Sequence, residues 1–440
     1  MTSSSLRAVY HHNLSTFRSQ PLSEISGALG DLGTFLPIVI ALTEGQQISL
    51  ATTLISTGIF NILTGLCFGI PLPVQPMKAI AAVAILKSLN AGEVAAAGLF
   101  VATCVLVLSV TGLLTWITRV VPIPVVKGIQ VGAGLSLIMA AGTRVLADLG
   151  WTSPNWADNY TWVILAFLAL LVSSRVPRTP CALIISVLGL VFASIQLHGS
   201  PPGFRVWHPY TQVPRSEDWR SGILQAGIGQ LPLTTLNSIV AVTHLAADLL
   251  PEVAAPSVTS IGLSVAGMNF FGIWFGAMPV CHGSGGLAAQ YRFGARSGAS
   301  IIFLGVAKLV VGLLFGESLT GLLKSFPTSF LSVMIIAAGL ELASVGENLN
   351  TNRARDLQKH EDRDGSIDKA ERKQRWTVML VTAGLLVAFK NDAIGFVAGL
   401  CCHWSYTLPD YMSGLRQRKK SNGIRLGGST DNEALLGHSG

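Results

Sequence analysis

Residues 73–76 read Pro73-Val74-Gln75-Pro76, and 206 residues later the chain reads Pro279-Val280-Cys281-His282. Each copy ends an apolar segment that carries an asparagine and several glycines, with Asn61 in the first and Asn269 in the second. A hydrophobic segment interrupted by proline at matching places of two halves is typical of a transporter built from repeats. Because the broken helices of such proteins form the binding site, the two motifs predict where that site lies.

Composition favours a chain that lies mostly in lipid. Half of the 440 residues are hydrophobic and only 12% are charged, whereas soluble domains carry about 25% charged residues. The net charge is +7, but the basic residues stand at the ends of apolar segments, so no nucleic-acid partner is expected. The six cysteines show no CxxC spacing, and we expect neither a metal nor a cofactor.

The duplication extends beyond the proline motifs. The segment 27–32 resembles 227–231 at a spacing of 199 residues, and 122–134 resembles 327–339 at a spacing of 205. Three landmarks in the same order at nearly the same interval indicate an internal repeat.

Apolar runs of about 20 residues cross a membrane as helices, and half-helices need fewer. The predicted segments of the first repeat are 25–43, 49–70, a half-helix near 76–88, 94–118, 122–142, 160–174 and 180–197. Those of the second are 222–247, 256–277, a half-helix near 283–291, 298–315, 318–343, 375–390 and 393–408. The predicted fold is therefore an all-α polytopic membrane protein with a seven-plus-seven inverted repeat. Its two half-helices meet at the membrane midplane.

The same pattern predicts the organisation of the chain. The excess of Lys and Arg in alternate loops places both termini in the cytoplasm. The predicted parts are a cytoplasmic N-terminal segment (1–24), the first transmembrane repeat (25–197), a connecting loop (198–221), the second repeat (222–408) with a charged cytoplasmic loop (351–375), and a cytoplasmic tail (409–440).

Six runs carry a family resemblance: Gly27–Thr34, Pro73–Ala84, Cys281–Gly294, Gly305–Val310, Gly339–Ala343 and Ala393–Gly399. They resemble the MOT-type molybdate transporters, which are distant relatives of the SulP sulfate permeases. The resemblance implies a seven-plus-seven inverted-repeat fold and molybdate as the substrate. SulP proteins usually carry a C-terminal STAS domain, and none is expected in this chain.

Charge at the two half-helices predicts an anion site. Each helix would begin just after Pro76 or Gly283, and each N-terminus contributes roughly +0.5 charge and free N–H groups. Lys78, in the first turn of the first half-helix, adds a full positive charge. The total of about +2 matches a tetrahedral dianion.

The side chains and glycines around these starts complete the predicted site. Glycine would let the backbone approach the oxyanion closely, and the polar side chains would donate hydrogen bonds. The alternative is that the glycines serve helix packing and that Lys78 reaches an interface. The predicted substrate-binding residues are Gln75, Lys78, Asn237, His282, Gly283, Ser284, Gly285 and Gly286.

Asp31 and His282 are the candidates for proton coupling. A carboxylate inside a membrane is costly and indicates function. If Asp31 lies near Lys78, its protonation would restore the attraction for an anion. The alternatives are a structural ion pair between Asp31 and Lys78 and a satisfied core histidine. We place Asp31 six residues before a helix break at Pro37, and we interpret Lys308, Glu341 and the run Lys390-Asn391-Asp392 as structural partners.

The predicted function is molybdate transport by alternating access, coupled to protons. A sulfate or other oxyanion carrier is the alternative of the same class, and an intramembrane enzyme using Asp31, Cys281 and His282 is the rival of another class. The expected partners are molybdate, protons and the lipid bilayer, and a homodimer is left open. The expected location is the plasma membrane or, because of an acidic dileucine pattern over 431–436, the vacuolar membrane.

Overall fold

The computed structural model describes residues 3–176, 179–197, 201–351 and 368–407, and almost all of its regular structure is helical. The helices of the first half are α1 (Ser3–Ser19), α2 (Pro21–Leu29), α3 (Leu32–Glu44), α4 (Leu50–Phe68), α5 (Lys78–Lys87), α6 (Ala91–Val110), α7 (Leu113–Val120), α8 (Ile123–Ala140), α9 (Tyr160–Arg175) and α10 (Cys181–Ile195). Those of the second half are α11 (Ser216–Gly222), α12 (Ile228–Pro232), α13 (Val242–Leu249), α14 (Val258–Gly272), α15 (Ser284–Arg292), α16 (Ala299–Leu314), α17 (Thr320–Lys324), α18 (Thr328–Ser344), α19 (Lys369–Phe389) and α20 (392–407). Wider helical turns over Ile223–Gly227 and Leu233–Ala241 join α11, α12 and α13.

The helices are less uniform than the sequence predicted. Six of those described are long and apolar enough to cross a membrane, and a bent pair, Ala299–Leu314 with Gly316–Lys324, raises the number to seven. The predicted span 94–118 is divided, because Gly112 has a φ of 75° and ends the helix before α7. Glycine adopts this left-handed conformation without steric cost. Helices α9 and α10 have only 16 and 15 residues.

The first span breaks at Asp31, so the predicted break at Pro37 is wrong. Gly30 and Asp31 form a turn between α2 and α3, and Pro37 lies inside α3. The Thr34 hydroxyl donates to the Asp31 carboxylate. Local bonds of this kind compete with helix continuation. The missing N–H of Pro37 removes one hydrogen bond and does not end the helix.

The two proline motifs form a short antiparallel ladder that the sequence did not predict, within a fold that is otherwise helical as predicted. Strand β1 (Val74–Pro76) pairs with β2 (Val280–His282), and Gln75 lies opposite Cys281. Both strands are fully buried. Their prolines prevent helix at this depth, and the buried N–H and C=O groups must find partners, so each extended segment pairs with the other.

Residues that the duplication makes equivalent contact one another. The 206-residue spacing equates Gln75 with Cys281, which are ladder partners. The 205-residue spacing equates Gly134 of α8 with Gly339 of α18. A Cβ on either of these glycines would lie 2.6 Å from the carbonyl oxygen of the other. Such contacts occur around a two-fold axis and are consistent with the inverted repeat, which stays a prediction.

Two buried asparagines hold the ladder from the side of α4 and α14. The Asn61 Oδ1 accepts the Val74 N–H at 2.8 Å, and the Asn269 Oδ1 accepts the Val280 N–H at 2.8 Å. The Asn269 amide also donates to the carbonyls of Val265 and Val280, both at 2.7 Å. The duplicated asparagines visible in the sequence therefore fix the two strands, a role that we did not predict.

Asn269→Leu is expected to destabilise the protein more than Asn61→Leu. Asn269 makes three of these hydrogen bonds and Asn61 makes one, and each buried group left unpaired costs about 1–3 kcal/mol. Thermal unfolding of the detergent-solubilised variants measures the difference. Equal melting temperatures would contradict the assignment.

The loops gather at two ends of the helices. The end with 45–49, 205–212 and Glu317 is the Glu317 face, and the end with 118–124 and Arg375 is the Arg375 face. The predicted connecting loop is shorter than expected, because α11 begins at Ser216. The predicted charged loop ends before Lys369, where α19 begins. Most of that loop, the tail and the dileucine pattern lie outside the described residues.

Candidate functional site

Lys78 is the first residue of α5, and its side chain crosses to the start of α15. Its Nζ lies 3.9 Å from the point where a Cβ on Gly285 would stand. Lys78 is partly buried. Lys127 pairs with Asp248 and Lys324 with Glu44, whereas the Lys78 ammonium forms no ion pair with the residues that the structure describes.

Gln230 of α12 occupies part of the N-terminus of α5. Its Oε1 accepts the N–H groups of Ala79 at 2.8 Å and Ile80 at 3.3 Å, and its Nε2 donates to the Thr234 hydroxyl at 2.9 Å. The first N–H groups of a helix have no intrahelical acceptor. Gln230 therefore accepts two N–H groups that we expected to donate to a ligand. The signal in the sequence was a polar residue in an apolar segment, at the position that the duplication equates with Asp31.

Gln75 fills the space beside two of the predicted glycines. A Cβ on Gly283 would overlap the Gln75 Oε1. A Cβ on Gly286 would lie 2.6 Å from the Gln75 Nε2 and 2.6 Å from the Pro73 Cγ. These glycines make room for a side chain of the protein itself.

Gly285 has different neighbours. A Cβ there would stand 3.0 Å from the Leu137 Cδ1 and 3.9 Å from the Lys78 Nζ. Of the three glycines, Gly285 is therefore the one that faces the ammonium group.

Ser284 and Asn237 provide further donors beside Gly285. The Ser284 hydroxyl donates to the Asn237 Oδ1. The Asn237 amide nitrogen and the backbone N–H groups of Ser284 and Gly285 find no hydrogen-bond acceptor in the part of the chain that the structure describes. Three donors thus remain available at the start of α15.

Asp31 is buried, and it is hydrogen-bonded to Gln75. Its carboxylate accepts hydrogen bonds from the Thr34 hydroxyl and the Gln75 amide. Lys308 and Lys78 are the charged groups that act on it, but neither forms an ion pair with it. Lys308 is buried, with its Nζ 3.6 Å from the Phe35 ring centroid. The structural Asp31–Lys78 ion pair is therefore not present, and the sequence did not reveal that Lys308 lies over the Phe35 ring, one helical turn from Asp31.

His282 faces away from Lys78. Its Nε2 lies 3.0 Å from the Ser264 Oγ, its Nδ1 lies 3.4 Å from the Pro73 carbonyl oxygen, and its ring packs edge-on against Phe68. Neighbouring residues of a strand point to opposite faces. Cys281 accordingly points to the other side, where Ser238 donates to its sulfur at 3.2 Å. The geometry gives the His282 ring no hydrogen bond to the other predicted site residues and forms no Cys–His dyad.

The arrangement can hold a compact anion. Lys78 supplies one positive charge, and the two helix N-termini add about +0.5 each. The donors lie close together because the ladder brings the starts of α5 and α15 side by side. No group of three or more metal-ligating side chains occurs among the described residues.

The site is separate from the two cavities at the faces of the molecule. A cavity of about 490 Å³ at the Glu317 face is lined in part by Gln47, Arg205 and Tyr210. One of about 1170 Å³ at the Arg375 face is lined in part by Arg119 and Arg375. Neither is lined by Lys78, Ser284 or Asn237.

A family model described as "Molybdate transporter of MFS superfamily" matches residues 23–137 and 222–342, more than half of the chain. The chain belongs to this family. The two matched segments fall in the two halves that the duplication predicted.

Similar proteins agree with this membership. Molybdate transporter 2 of Arabidopsis thaliana is 39% identical over 429 residues, which cover 86% of each chain. Molybdate transporter 1 of the same plant is 37% identical over 430 residues, 88% of this chain and 89% of its own. Molybdate transporter 1 of Chlamydomonas reinhardtii is 32% identical over 489 residues, 86% of this chain and 90% of its own.

Solved structures show the fold. SLC26A9 superposes with a TM-score of 0.53 at 12% identity, covering 89% of this chain, and this chain spans 65% of that longer one. The transmembrane domain of the cyanobacterial bicarbonate transporter BicA gives 0.50 at 14% identity, covering 86% of this chain and 97% of that domain. The fold is therefore similar to that of these two transporters.

Membership in this family makes the chain a multi-pass membrane transporter. The enzyme interpretation based on Asp31, Cys281 and His282 is thereby excluded, since the relatives are transporters.

Proposed function

We propose that this chain carries molybdate across a membrane by alternating access, with the site between the starts of α5 and α15. The observation that carries the proposal is the Lys78 ammonium beside Gly285, which forms no ion pair with the described residues and lies between two helix N-termini. A tetrahedral dianion matches a charge of about +2. Lys78, Gly285, Ser284 and Asn237 are the proposed ligands.

Sulfate and other oxyanions are the competing substrates. Sulfate and molybdate are both tetrahedral dianions and differ mainly in size, so charge does not separate them. The names of the relatives favour molybdate. Counterflow of labelled molybdate in proteoliposomes, with unlabelled sulfate as competitor, tests the choice. Sulfate exchange without molybdate exchange would make the chain a sulfate carrier, and exchange of neither would overturn the proposal.

The proposed architecture is a pair of inverted repeats, 25–197 and 222–408. The pairing of Gln75 with Cys281 and of Gly134 with Gly339 supports it. We further propose cytoplasmic termini, a plasma-membrane or vacuolar location, and a homodimer as the oligomeric state to test by mass measurement in nanodiscs.

Proton coupling is proposed on energetic grounds. Moving a dianion into a compartment that is negative by 100 mV costs about 4.6 kcal/mol, since each charge costs about 2.3. Two protons for each molybdate would make the transport electrically neutral. Asp31 is the proposed site of one proton, because it is a buried carboxylate beside Gln75, and its ionised form would reduce the attraction of the site for an anion.

Asp31→Asn is expected to keep molybdate binding and to flatten the pH dependence of uptake. Wild-type uptake should rise as the pH falls, because protonation of Asp31 strengthens the pull of Lys78 on the anion. The asparagine mimics the protonated carboxyl at every pH. Uptake measured across a pH series checks this, and an unchanged pH profile would remove Asp31 as a proton site.

A further inference from the structure

One face of α8 contacts the second half of the chain at three successive depths. Lys127, Gln130 and Leu137 are separated by three and seven residues, so their side chains lie on the same side of the helix. α8 begins at Ile123, and residues 118–124 line the cavity at the Arg375 face. These three positions therefore follow one another from the Arg375 face toward the interior of the protein.

The outermost contact is a buried ion pair. The Lys127 Nζ lies 2.5 Å from the Asp248 Oδ2 near the end of α13, and the two side chains are only 3% and 10% exposed. The Lys324–Glu44 pair at the other end of the molecule is 66% and 43% exposed. Removal of one partner destabilises a buried pair strongly, whereas an exposed pair contributes little. The Lys127–Asp248 pair is thus the one whose loss should shift an equilibrium.

The second contact ties α8 to the segment that carries a proposed ligand. The Gln130 Nε2 donates to the Ala241 carbonyl at 3.0 Å, and Gln130 is fully buried. Ala241 is the last residue of the wide helical turn Leu233–Ala241, which contains Asn237. This contact therefore holds α8 against the wall of the oxyanion site.

The innermost contact reaches the site itself. The Leu137 Cδ1 lies 3.0 Å from where a Cβ on Gly285 would stand, and the Lys78 Nζ lies 3.9 Å from the same point. The cavity at the Arg375 face is lined by Pro124, three residues before Lys127, and by His244, three residues after Ala241. The three α8 contacts therefore lie between that cavity and the site.

We propose that the Lys127–Asp248 ion pair is a latch that closes the route from the Arg375 face to the oxyanion site. The pair separates each time the site opens to that face. In the closed state the mutual attraction of the two charges offsets the cost of taking them out of water. In the open state water solvates both groups. This inference rests on the alternating access of the proposed function and names the contact that closes one side.

The latch makes the charge on Lys127 a determinant of the closed state. In Lys127→Met the Asp248 carboxylate stays buried without the Lys127 ammonium as long as the route is closed. Burial of a charge is costly when its compensation is lost, and an open route hydrates it. The variant should therefore populate the open conformation more than wild type does, because a change that favours one state shifts the population toward it.

Two native cysteines report opening and general loosening separately. The Ser238 hydroxyl donates to the Cys281 sulfur at 3.2 Å, and Ser238 lies three residues before Ala241, so Cys281 lies behind the Gln130–Ala241 contact. Cys181 begins α10, which takes no part in the α8 contacts. Both cysteines are 4% exposed. Opening of the route should expose Cys281 alone, whereas loss of packing throughout the protein should expose both.

The test measures alkylation of the full-length protein by iodoacetamide in detergent, followed by mass spectrometry of the cysteine peptides. Lys127→Met is expected to raise the Cys281 rate relative to the Cys181 rate by about tenfold, a size typical of coupling between two conformations. Lys127→Arg keeps the positive charge and should keep the wild-type ratio. Lys324→Met, which breaks the exposed pair, should also keep it.

An unchanged ratio in Lys127→Met would overturn the inference, and so would an equal rise at both cysteines or the same change in Lys324→Met. If Lys127→Met does not fold, Asp248→Asn, which keeps the size of the side chain, must show the selective rise at Cys281. Alkylation requires no molybdate. Absence of molybdate counterflow in wild type therefore contradicts the proposed function, whereas an unselective alkylation pattern contradicts the latch.

Discussion

Lys78→Ala is expected to abolish saturable oxyanion uptake while leaving folding and membrane level intact. The dianion would lose the full positive charge nearest the start of α15. Since Lys78 forms no ion pair with the described residues, its removal leaves no opposite charge unpaired in direct contact. Fold stability should therefore change little.

The expected size of the effect follows from Coulomb's law. Two unit charges about 4 Å apart attract by about 4 kcal/mol at an effective dielectric constant of about 20. Loss of that attraction weakens binding by about a thousandfold. The two helix N-termini would remain, but their partial charges sum to only about +1.

Lys87→Ala is the matched control. Lys87 is an exposed lysine in the last turn of the same helix, so its replacement changes the net charge equally and leaves the site alone. Labelled molybdate uptake, normalised to the amount of protein in the membrane, compares the two. Near wild-type uptake by Lys78→Ala would remove Lys78 from the site.

Gly285→Val is expected to cause a comparable loss of uptake. The first added carbon would stand 3.0 Å from the Leu137 Cδ1, a tight contact, and the valine methyl groups would extend into the space near the Lys78 Nζ. The bulk should displace the ammonium group and cover the free N–H groups at the start of α15. Ser284→Ala should cost less, because the Ser284 hydroxyl already donates to Asn237.

Gly267→Val controls for the cost of valine in a helix. Gly267 lies in α14, and a Cβ there meets nothing within 4 Å. Molybdate binding by the purified variants gives the ranking. If Gly285→Val and Ser284→Ala are equally tolerated, Gly285 serves packing alone and the site lies elsewhere.

The helix breaks at the two proline motifs could be predicted from the sequence. The duplicated Pro-Val motifs mark where helices cannot continue, because proline lacks the N–H and clashes with the preceding turn. Half-helices were expected near 76–88 and 283–291, and α5 and α15 begin at Lys78 and Ser284. The break at Asp31 was missed, since it depends on a bond from the Thr34 hydroxyl rather than on a residue that stops a helix.

The directions in which the buried polar side chains point could not be predicted from the sequence. Gln75 was expected to donate to a ligand, but its amide donates to Asp31 and Thr34. Lys308 comes from a segment far along the chain and places its ammonium group over the Phe35 ring. Pairs of this kind depend on how helices from both halves pack, and single-sequence patterns carry no information about that packing.

Local sequence determined the membrane class, the duplicated motifs, the positions of the half-helices and the presence of a lysine at the start of one of them. Those features follow from hydrophobicity and from the backbone chemistry of proline and glycine, which act over a few residues. The tertiary structure decided that the two motifs pair as strands with Gln75 opposite Cys281. That register turns Gln75 toward α3 and His282 toward α14, because side chains alternate along a strand.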